Sequence, residues 1–410
     1  MKKVVITGLG VISPIGLDVD TFWSNLKNGV CGISEITSYD TTNLPVKLAA
    51  EIKDFKIENF EVDKGMARRS DRFCQFALAA AAQAMKDSNL AGNIDPTRLG
   101  VYVGSGIGGM QTFINECTKL IQQDATRISP LFIPMLISNI AAGNIAIANH
   151  AEGPCLPVVT ACATSTHAIG EAYRAIKYGY ADAIIAGGSE ATINPLAVGG
   201  FTNSKALSRA TDPSQASLPF DARRSGFVMG EGSGIVIMEE YEHAKARGAK
   251  IYGEICGYGN TCDAYHYTAP KPDGTAASRA IKQALDEAGY TSSDELYINA
   301  HGTGTPLNDK SETQAIKLAM GEQEAHRTHI SSSKSMTGHC LGAAGAMEVI
   351  VSVLSLKEGI VTPTIGLKEA DPECDLNYTP GKAIKADLTI ALSNSLGFGG
   401  HNACVALRKA

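Results

Sequence analysis

The strongest constraint on the fold is an internal repeat of one local pattern: a short apolar strand, then a loop of small residues, then a helix. In the first half of the chain, the apolar run at 99–103 leads into the glycine-rich segment 104–109. In the second half, 296–299 leads into 300–305, which reads AHGTGT. A strand that ends in small residues and continues as a helix is a building unit of α/β folds.

A second pair of segments follows the same rule. Residues 156–160 lead into the loop around Cys162, and residues 329–333 lead into the loop 334–339, with a helical pattern after each loop. Two copies of one α/β unit explain both pairs. We therefore expect a layered α/β sandwich with pseudo-twofold symmetry, in which helices cover both faces of parallel sheets.

The length of the chain also indicates two parts, because single hydrophobic cores stop growing at roughly 250–300 residues and this chain has 410. The charged segment 239–250 ends in a glycine turn and is the predicted boundary. It divides the chain into an N-terminal half, 1–250, and a C-terminal half, 251–410. The longer first half is expected to hold the insertions, near 110–150 and 195–225.

Composition excludes several functional classes. The chain has 36 Lys and Arg against 42 Asp and Glu, a net charge of -6, so it has no overall attraction for nucleic acid or anionic lipid. No Cys-x-x-Cys pair occurs among its 10 cysteines, which argues against a zinc ribbon or a thioredoxin-type site and favours reduced thiols. The most apolar window, 131–151, contains Pro134 and several Ser and Asn residues, which favours a buried helix over a membrane span. With neither a span nor a secretory leader, the sequence predicts a cytoplasmic protein.

Cys162 lies where a predicted strand ends and an amphipathic helix begins. Free N–H groups and the positive dipole end of a helix stabilise a thiolate, so this position is expected to lower the pKa of the thiol. An isolated cysteine between alanines is more often a small buried hydrophobe. The setting, which the other cysteines lack, makes Cys162 the candidate nucleophile.

Two histidines occupy corresponding loops of the repeats. His301 follows a strand and precedes four small residues, so a substrate has room beside its ring. His339 precedes a helix rich in Ala and Gly, whose N-terminal potential is expected to keep the imidazole neutral. Either histidine alone is weak evidence for a site, but the paired placement favours a functional role.

Two further features accompany these residues. Lys334 and Glu348 are predicted to form an ion pair, for which structural and catalytic support are equally good explanations. The segment 397–402, GFGGHN, follows a strand and is either a tight turn or a loop whose N–H groups face a developing oxyanion, with Phe398 as its only bulky side chain.

Four segments resemble, in order and spacing, the motifs of the β-ketoacyl-[acyl-carrier-protein] synthases: TACATS at 160–165, NAHGTGT at 299–305, KSMTGH at 334–339 and GFGG at 397–400. The resemblance spans essentially the whole chain and is greatest to the elongating type, in particular the synthase II group of bacterial type II fatty-acid synthesis. It implies an α/β fold of the thiolase-like kind, a five-layer αβαβα sandwich of two pseudo-symmetric repeats. The nucleophile and cap insertions would lie in 1–250, and both catalytic histidines in 251–410.

The resemblance implies a decarboxylating Claisen condensation that extends an acyl chain on its carrier protein and releases CO2. Cys162 would hold the acyl group as a thioester, with the N–H groups of Cys162 and Phe398 as the oxyanion hole. His301 and His339 would hydrogen-bond the thioester oxygen of malonyl-carrier protein as CO2 departs. Initiating synthases carry His and Asn at these positions, so the second histidine indicates the elongating type.

The same matching implies supporting residues. Lys334 and Glu348 would support the histidines, and Thr303 and Thr305 would bind the phosphopantetheine arm, which is carried by the substrate. The protein would then need no metal or other cofactor of its own.

The implied partners are acyl carrier protein, acyl and malonyl thioesters, and a second copy of the chain in a homodimer. Five residues would line the acyl pocket: Ile107, Phe132, Ile133, Phe201 and Phe398. The segment around Phe132 would come from the second subunit of the homodimer. His401 stands where synthase II often has Thr. Because the carrier protein is acidic, the candidate docking residues are basic: Lys64, Arg68, Arg69, Arg72, Lys205 and Arg209. A solvated helix face would explain each of these residues equally well.

Three alternatives remain. A type II polyketide ketosynthase is the strongest, and its products would be poly-β-ketones. A thiolase shares the two-repeat architecture but uses a second cysteine as base. A non-catalytic chain-length partner of a synthase lacks the nucleophilic cysteine, which this chain retains.

Overall fold

A computed structural model describes all 410 residues of the chain. Its strands are β1 Val4–Ile12, β2 Ser34–Glu35, β3 Leu48–Ala49, β4 Leu99–Gly104, β5 Ala183–Glu190, β6 Gly232–Glu240, β7 Gly253–Cys262, β8 Leu296–Asn299, β9 His329–Ser331, β10 Ile360–Val361, β11 Ile384–Lys385, β12 Ile390–Gly397 and β13 His401–Arg408.

Helices alternate with these strands, as the repeat predicts. They are α1 Val19–Lys27, α2 Lys64–Arg68, α3 Arg72–Ser88, α4 Met110–Gln122, α5 Phe132–Leu136, α6 Ile140–Asn149, α7 Thr164–Lys177, α8 Pro195–Asn203, α9 Tyr241–Ala246, α10 Thr275–Glu287, α11 Pro306–Met320, α12 Glu322–Arg327, α13 Lys334–Thr337 and α14 Ala344–Glu358.

Nine strands form one hydrogen-bonded sheet in the order β4-β5-β6-β1-β7-β13-β12-β8-β9. The order and directions repeat: β4 runs parallel to β5, which is antiparallel to β6, which is antiparallel to β1. In the same way β8 runs parallel to β12, which is antiparallel to β13, which is antiparallel to β7. The two sets meet where Val4, Val5 and Ile6 of β1 pair with β7.

The helices arrange these two strand sets into layers. α3 packs on β1 and β6, and α10 packs on β7 and β13, so each covers the outer face of its own set. α7 contacts β5 and β13, and α14 contacts β6 and β12, so both central helices lie between the two sets. The expected αβαβα sandwich of two repeats is confirmed. The domain boundary at residue 250 stays a prediction.

In each repeat, a glycine brings a helix and a strand into direct backbone contact. A Cβ at Gly10 of β1 would lie 1.9 Å from the carbonyl oxygen of Ala80 in α3. A Cβ at Gly259 of β7 would lie 1.8 Å from the carbonyl oxygen of Ala280 in α10. Only glycine permits these approaches, so the same packing device occurs in both halves.

Two sequence expectations differ from the structure. The segment 156–160 is not a regular strand: beside it, only Cys155 forms a β-bridge, with Val101. The window 131–151 is not one buried helix. It forms α5 and α6 with a break between them, and Ile133 and Ile147 are exposed. No helix of the chain has both the length and the apolar character that crossing a membrane requires.

Candidate active site

Cys162 lies in a strained turn between the 156–160 segment and α7. Ala161 has a φ of 51°, a left-handed conformation that is uncommon for a residue with a Cβ. Residues 161–163 form a 3-10 turn, and α7 starts immediately afterwards at Thr164. The turn thus places Cys162, the candidate nucleophile, at the N-terminal side of a buried central helix.

Gly397, at the end of β12, lies directly against this turn. A Cβ there would be 2.6 Å from the carbonyl oxygen of Thr160 and 3.3 Å from the nitrogen of Cys162. The absence of a side chain allows the glycine loop to approach the nucleophile. As a result, the N–H groups of Phe398 and Cys162 both face the sulfur atom. The loop is also the turn between β12 and β13, as the tight-turn interpretation predicts. Its part in holding an oxyanion stays a prediction.

Burial determines the ionisation of the Cys162 thiol. The residue is only 9% exposed, and desolvation raises the pKa of its thiol to about 12, although the charge of Lys334 and the N–H group of Phe398 both act to lower it. The expectation that the helix N-terminus would lower this pKa is therefore wrong. The raised pKa favours the protonated thiol over the thiolate.

His301 and His339 face each other, with ring centroids 5.3 Å apart and ring planes at 84°. Both are buried, and the pKa of each lies well below 6.5, mainly through desolvation and then through the charge of Lys334. The expected neutral imidazoles agree with this direction, but burial rather than a helix N-terminus is the main cause. Neutral imidazoles can donate N–H bonds to a developing enolate.

The ion pair between Lys334 and Glu348 lies behind these rings. Both side chains are buried, and the ammonium group of Lys334 hydrogen-bonds Oε1 of Glu348. Burial raises the pKa of Glu348, and Lys334 opposes this change. Pairing is what allows both charges to stay in the interior.

A buried carboxylate organises each of the two repeat loops. Glu190 accepts bonds from the N–H groups of Gly106 and Ile107 at 2.9 and 3.2 Å, and it thereby fixes the loop that carries Ile107. Glu312 accepts the N–H group of His301 at 2.7 Å. Desolvation raises the pKa of Glu190 to about 6 and that of Glu312 to about 7.

One cleft contains most of the predicted catalytic and substrate-binding residues. Its lining includes Cys162, His301, His339, Thr303, Thr305 and Phe398, and Phe201 lies at the same wall. The hydroxyls of Thr303 and Thr305 are 2.9 Å apart. Ile107 and Phe201 pack against the apolar cluster that includes Cys162. Phe132 and Ile133 lie on α5, outside the cleft lining of this chain, and the Ile133 side is exposed.

The basic residues predicted to bind the carrier protein differ in exposure and in whether they already form an ion pair within the chain. Lys64 and Arg68 on α2 and Arg69 just after it are exposed, as are Lys205 and Arg209 beyond α8. Arg72 is different, because it forms an ion pair with Glu231 at 3.0 Å and its guanidinium lies over the ring of Phe76.

Sequence reasoning missed the segment after β7 that borders the glycine loop. The N–H group of Asp263 donates to the carbonyl of Gly400 at 2.9 Å, and its carboxylate accepts the Asn402 amide at 2.8 Å. It also missed His167, Glu190 and Glu312. Glu190 could have been found from the sequence, because an acidic residue at the end of an apolar strand is unusual and indicates a buried polar contact. The sequence around His167 gives no comparable indication.

No cluster of three or more His, Cys, Asp or Glu side chains is arranged to hold a metal ion. Several buried side-chain oxygen atoms have no hydrogen-bond partner, among them those of Asn299, Glu348, Ser393 and Asn394.

Comparison with known proteins gives consistent results. The family model for the N-terminal domain of beta-ketoacyl synthases matches residues 1–244, and the model for their C-terminal domain matches 252–368. The 3-oxoacyl-[acyl-carrier-protein] synthase 2 of Staphylococcus aureus strain COL is 52% identical over 409 residues, covering 100% of this chain and 98% of that protein. The synthase 2 of Synechocystis is 50% identical over 410 residues, again covering 100% of this chain and 98% of the relative.

Solved structures have the same fold. A type II polyketide ketosynthase in complex with its acyl-carrier protein, AntDE:AntF, superposes with a TM-score of 0.92 at 36% identity, covering 100% of both chains. A beta-ketoacyl synthase from Burkholderia phymatum STM815 gives a TM-score of 0.92 at 34% identity and also covers 100% of both chains.

Proposed function

The chain belongs to the β-ketoacyl synthase family, and from this premise we propose that Cys162, His301 and His339 carry out its reaction. The protein is an acyltransferase that joins an acyl chain to a malonyl-derived unit on acyl carrier protein in fatty-acid elongation. The observation that carries the assignment of residues is the geometry of the cleft, in which one thiol and two neutral imidazoles line the same cavity.

The first half-reaction transfers the acyl group. The sulfur of Cys162 attacks the carbonyl carbon of the acyl-carrier thioester, and the N–H groups of Cys162 and Phe398 stabilise the oxyanion. The C–S bond to pantetheine then breaks, and the pantetheine thiol takes up the proton that Cys162 loses. Because the pKa of the Cys162 thiol is about 12, proton loss accompanies attack rather than preceding it.

The second half-reaction forms the new carbon–carbon bond. His301 and His339 donate N–H bonds to the thioester oxygen of malonyl-carrier protein, which favours loss of CO2 and leaves the electron pair as an enolate. The enolate carbon attacks the acyl carbonyl on Cys162, and the C–S bond to the enzyme breaks. β-Ketoacyl-carrier protein leaves, and Cys162 takes up a proton.

Substrate binding follows the lining of the cleft. Thr303 and Thr305 offer hydroxyls to the amides of the phosphopantetheine arm, and no separate cofactor is needed. Ile107, Phe201 and Phe398 border the acyl chain.

The chain acts as a homodimer, with Phe132 and Ile133 completing the acyl pocket of the second subunit. Exposed apolar side chains support this proposal, since Ile121, Ile133 and Val159 lie 82%, 56% and 50% exposed in a single chain. Sedimentation of the protein should give the mass of a dimer, and Ile133→Lys should shift it towards the monomer. Lys310→Glu, far from this surface, serves as the control.

Acyl carrier protein docks on the exposed cations Lys64, Arg68, Arg69, Lys205 and Arg209, whereas Arg72 is engaged by Glu231. Reversing the charge with Arg68→Glu should raise KM for acyl-carrier substrate several-fold, on the order of 1 kcal/mol, with little change in kcat. The matched control is Arg279→Glu on α10. An equal effect of both variants would contradict the docking surface. The protein works in the cytoplasm, which cell fractionation can check.

The polyketide alternative is not favoured, because identity to the synthase 2 relatives reaches 52% and identity to the polyketide ketosynthase is 36%. The decisive experiment for the site is incubation with acyl-carrier thioester followed by mass spectrometry of peptides. We expect an acyl adduct on Cys162. An adduct on a different cysteine, or no adduct, would overturn the assignment.

A further inference from the structure

His167 is a buried histidine beside the nucleophile that the reaction above does not use. It lies on α7, five residues after Cys162, and is 4% exposed. Its ring reaches oxygen atoms of three segments: the Thr160 hydroxyl at 2.9 Å, the Ala163 carbonyl at 3.2 Å and the Asn260 side chain at 3.1 Å. Two of these segments flank Cys162, and the third is β7 of the other repeat.

The ring of His167 is held at both of its nitrogens. Nε2 lies 3.1 Å from Oδ1 of Asn260, and Nδ1 lies 2.9 Å from the hydroxyl of Thr160 and 3.2 Å from the carbonyl of Ala163. Desolvation, and next in effect the neighbouring His401, lower the pKa of His167, which favours the neutral ring. The hydroxyl of Thr160 can donate or accept, so it pairs with Nδ1 in either tautomer.

Thr160 is the residue at which this contact matters, because it precedes the left-handed Ala161. A non-glycine residue in this conformation costs roughly 1–3 kcal/mol and persists only when its surroundings hold it. The backbone of Thr160 is held by the hydroxyl of Thr164 at 2.9 Å and by the close approach of Gly397. Its carbonyl also accepts the N–H group of Ala163 at 3.1 Å. The bond from its side chain to His167 is the contact that links the turn to β7.

We propose that His167 is a positioning residue for the nucleophile. By hydrogen-bonding the hydroxyl of Thr160 and the side chain of Asn260, it fixes the turn 160–163 against β7. The sulfur and the N–H group of Cys162 are thereby held in register with Phe398. This inference rests on the proposed function only for the acyl-transfer readout.

The second repeat supports a specific role for His167. The corresponding turn there, 341–343, carries no nucleophile, and the residue that follows Gly342 by five positions is Met347. The N–H group of Gly342 is instead held by the carboxylate of Glu190 at 3.1 Å. A carboxylate at this place beside Cys162 would consume the N–H group that an oxyanion needs, whereas a histidine acting through Thr160 leaves it free.

Four variants separate positioning from packing. The amide of His167→Asn occupies the place of Nδ1 and retains an acceptor for Thr160, whereas the amide of His167→Gln occupies the place of Nε2 and retains only the Asn260 contact. Thr160→Val removes the hydroxyl at nearly constant volume, and Thr160→Ser retains it. Each variant is prepared as the full-length protein, and its thermal midpoint is measured.

Two rates are then measured on each variant: single-turnover acylation of Cys162 by acyl-carrier thioester, and alkylation of Cys162 by iodoacetamide, which requires no carrier or condensation. We expect His167→Gln and Thr160→Val to slow both rates about tenfold or more, because misplacing a reacting group by about 1 Å can cost about 100-fold. His167→Asn and Thr160→Ser should stay within about threefold of the parent. Combining Thr160→Val with His167→Gln should cause no additional loss, since both remove one contact.

Wild-type rates in His167→Gln would overturn the inference, as would equal losses in all four variants together with lower thermal midpoints. If the parent protein forms no acyl adduct, the proposed function fails, but the order of the iodoacetamide rates still tests His167.

Discussion

The turn 161–163 and the turn 341–343 are two copies of one structure, and only one of them carries a thiol. Both are 3-10 turns that begin with a left-handed non-glycine residue, Ala161 with φ 51° and Leu341 with φ 46°, and both lead into a central helix. The first copy has Cys162 at its second position. The second has Gly342 there, and its turn is buried throughout.

The difference lies in what the backbone N–H group at that second position does. In the second copy it donates to Glu190, and a Cβ at Gly342 would lie 2.5 Å from the nitrogen of Gly106. In the first copy the N–H group faces the sulfur of Cys162 together with that of Phe398. The fold therefore provides the same turn in both repeats. The proposed reactivity of Cys162 depends on a backbone N–H group that no carboxylate occupies and on space for a side chain.

The largest expected effect comes from removing the nucleophile. Cys162→Ala should abolish the acyl adduct and lower the condensation rate roughly 10⁴-fold or more, since no other group can hold the acyl chain. Its control in the second copy is Cys340→Ala, next to Leu341, which should keep the adduct and lose about 1 kcal/mol of stability. Peptide mass spectrometry and urea unfolding check both, and an adduct on Cys340 would break the comparison.

The next effect concerns the ion pair, which lies in the second repeat. Lys334→Met should lower the free energy of unfolding by about 3–5 kcal/mol, because it leaves the Glu348 carboxylate buried without its partner. Adding Glu348→Gln should restore most of this loss. Urea denaturation measures both, and Lys282→Met, which removes the exposed pair with Asp286, should have little effect. A small loss in Lys334→Met would show that the pair contributes little.

A smaller effect tests the packing of the inactive turn. Gly342→Ala should lower stability by about 1–3 kcal/mol, since its Cβ would meet the backbone of Gly106. The matched control, Gly143→Ala in α6, meets nothing within 4 Å and should raise stability by up to about 1 kcal/mol. Thermal and urea unfolding compare them. Equal behaviour of the two variants would mean that the second turn has room for a side chain.

The smallest expected effect is a flat pH profile. Because the pKa values of His301 and His339 lie well below 6.5, the rate at which malonyl-carrier protein consumes preformed acyl-Cys162 should not change between about pH 6 and 8. The lowered pKa values also make stability depend on pH. Near pH 6.5 the unfolded chain binds more protons than the folded chain, so the free energy of unfolding falls as the pH drops below that value. Stopped-flow rates that decline with a midpoint near 6.5 would contradict neutral histidines.

The repeat, the layers and the residues of the cleft were accessible from sequence because they depend on local patterns. His301 and Phe398 each follow a strand, and strand ends are where sites form in α/β folds. Cys162 follows a segment that only the sequence pattern indicated as a strand, but it does precede the predicted helix. The pKa of Cys162 was not accessible, because burial by distant segments outweighs the local helix. The roles of His167 and Glu190 depend on contacts with residues up to 93 and 152 positions away, which no local pattern records.

The two central helices have a consequence for how the molecule can be divided. α7 and α14 each pack on strands of both repeats, and β1 and β7 pair through only a few residues. A fragment that ends near residue 250 would therefore expose one whole side of α7 and lack half of the interior that surrounds it. Such fragments should associate when produced together and precipitate when produced alone, because the two repeats share one interior and form a single cooperative unit.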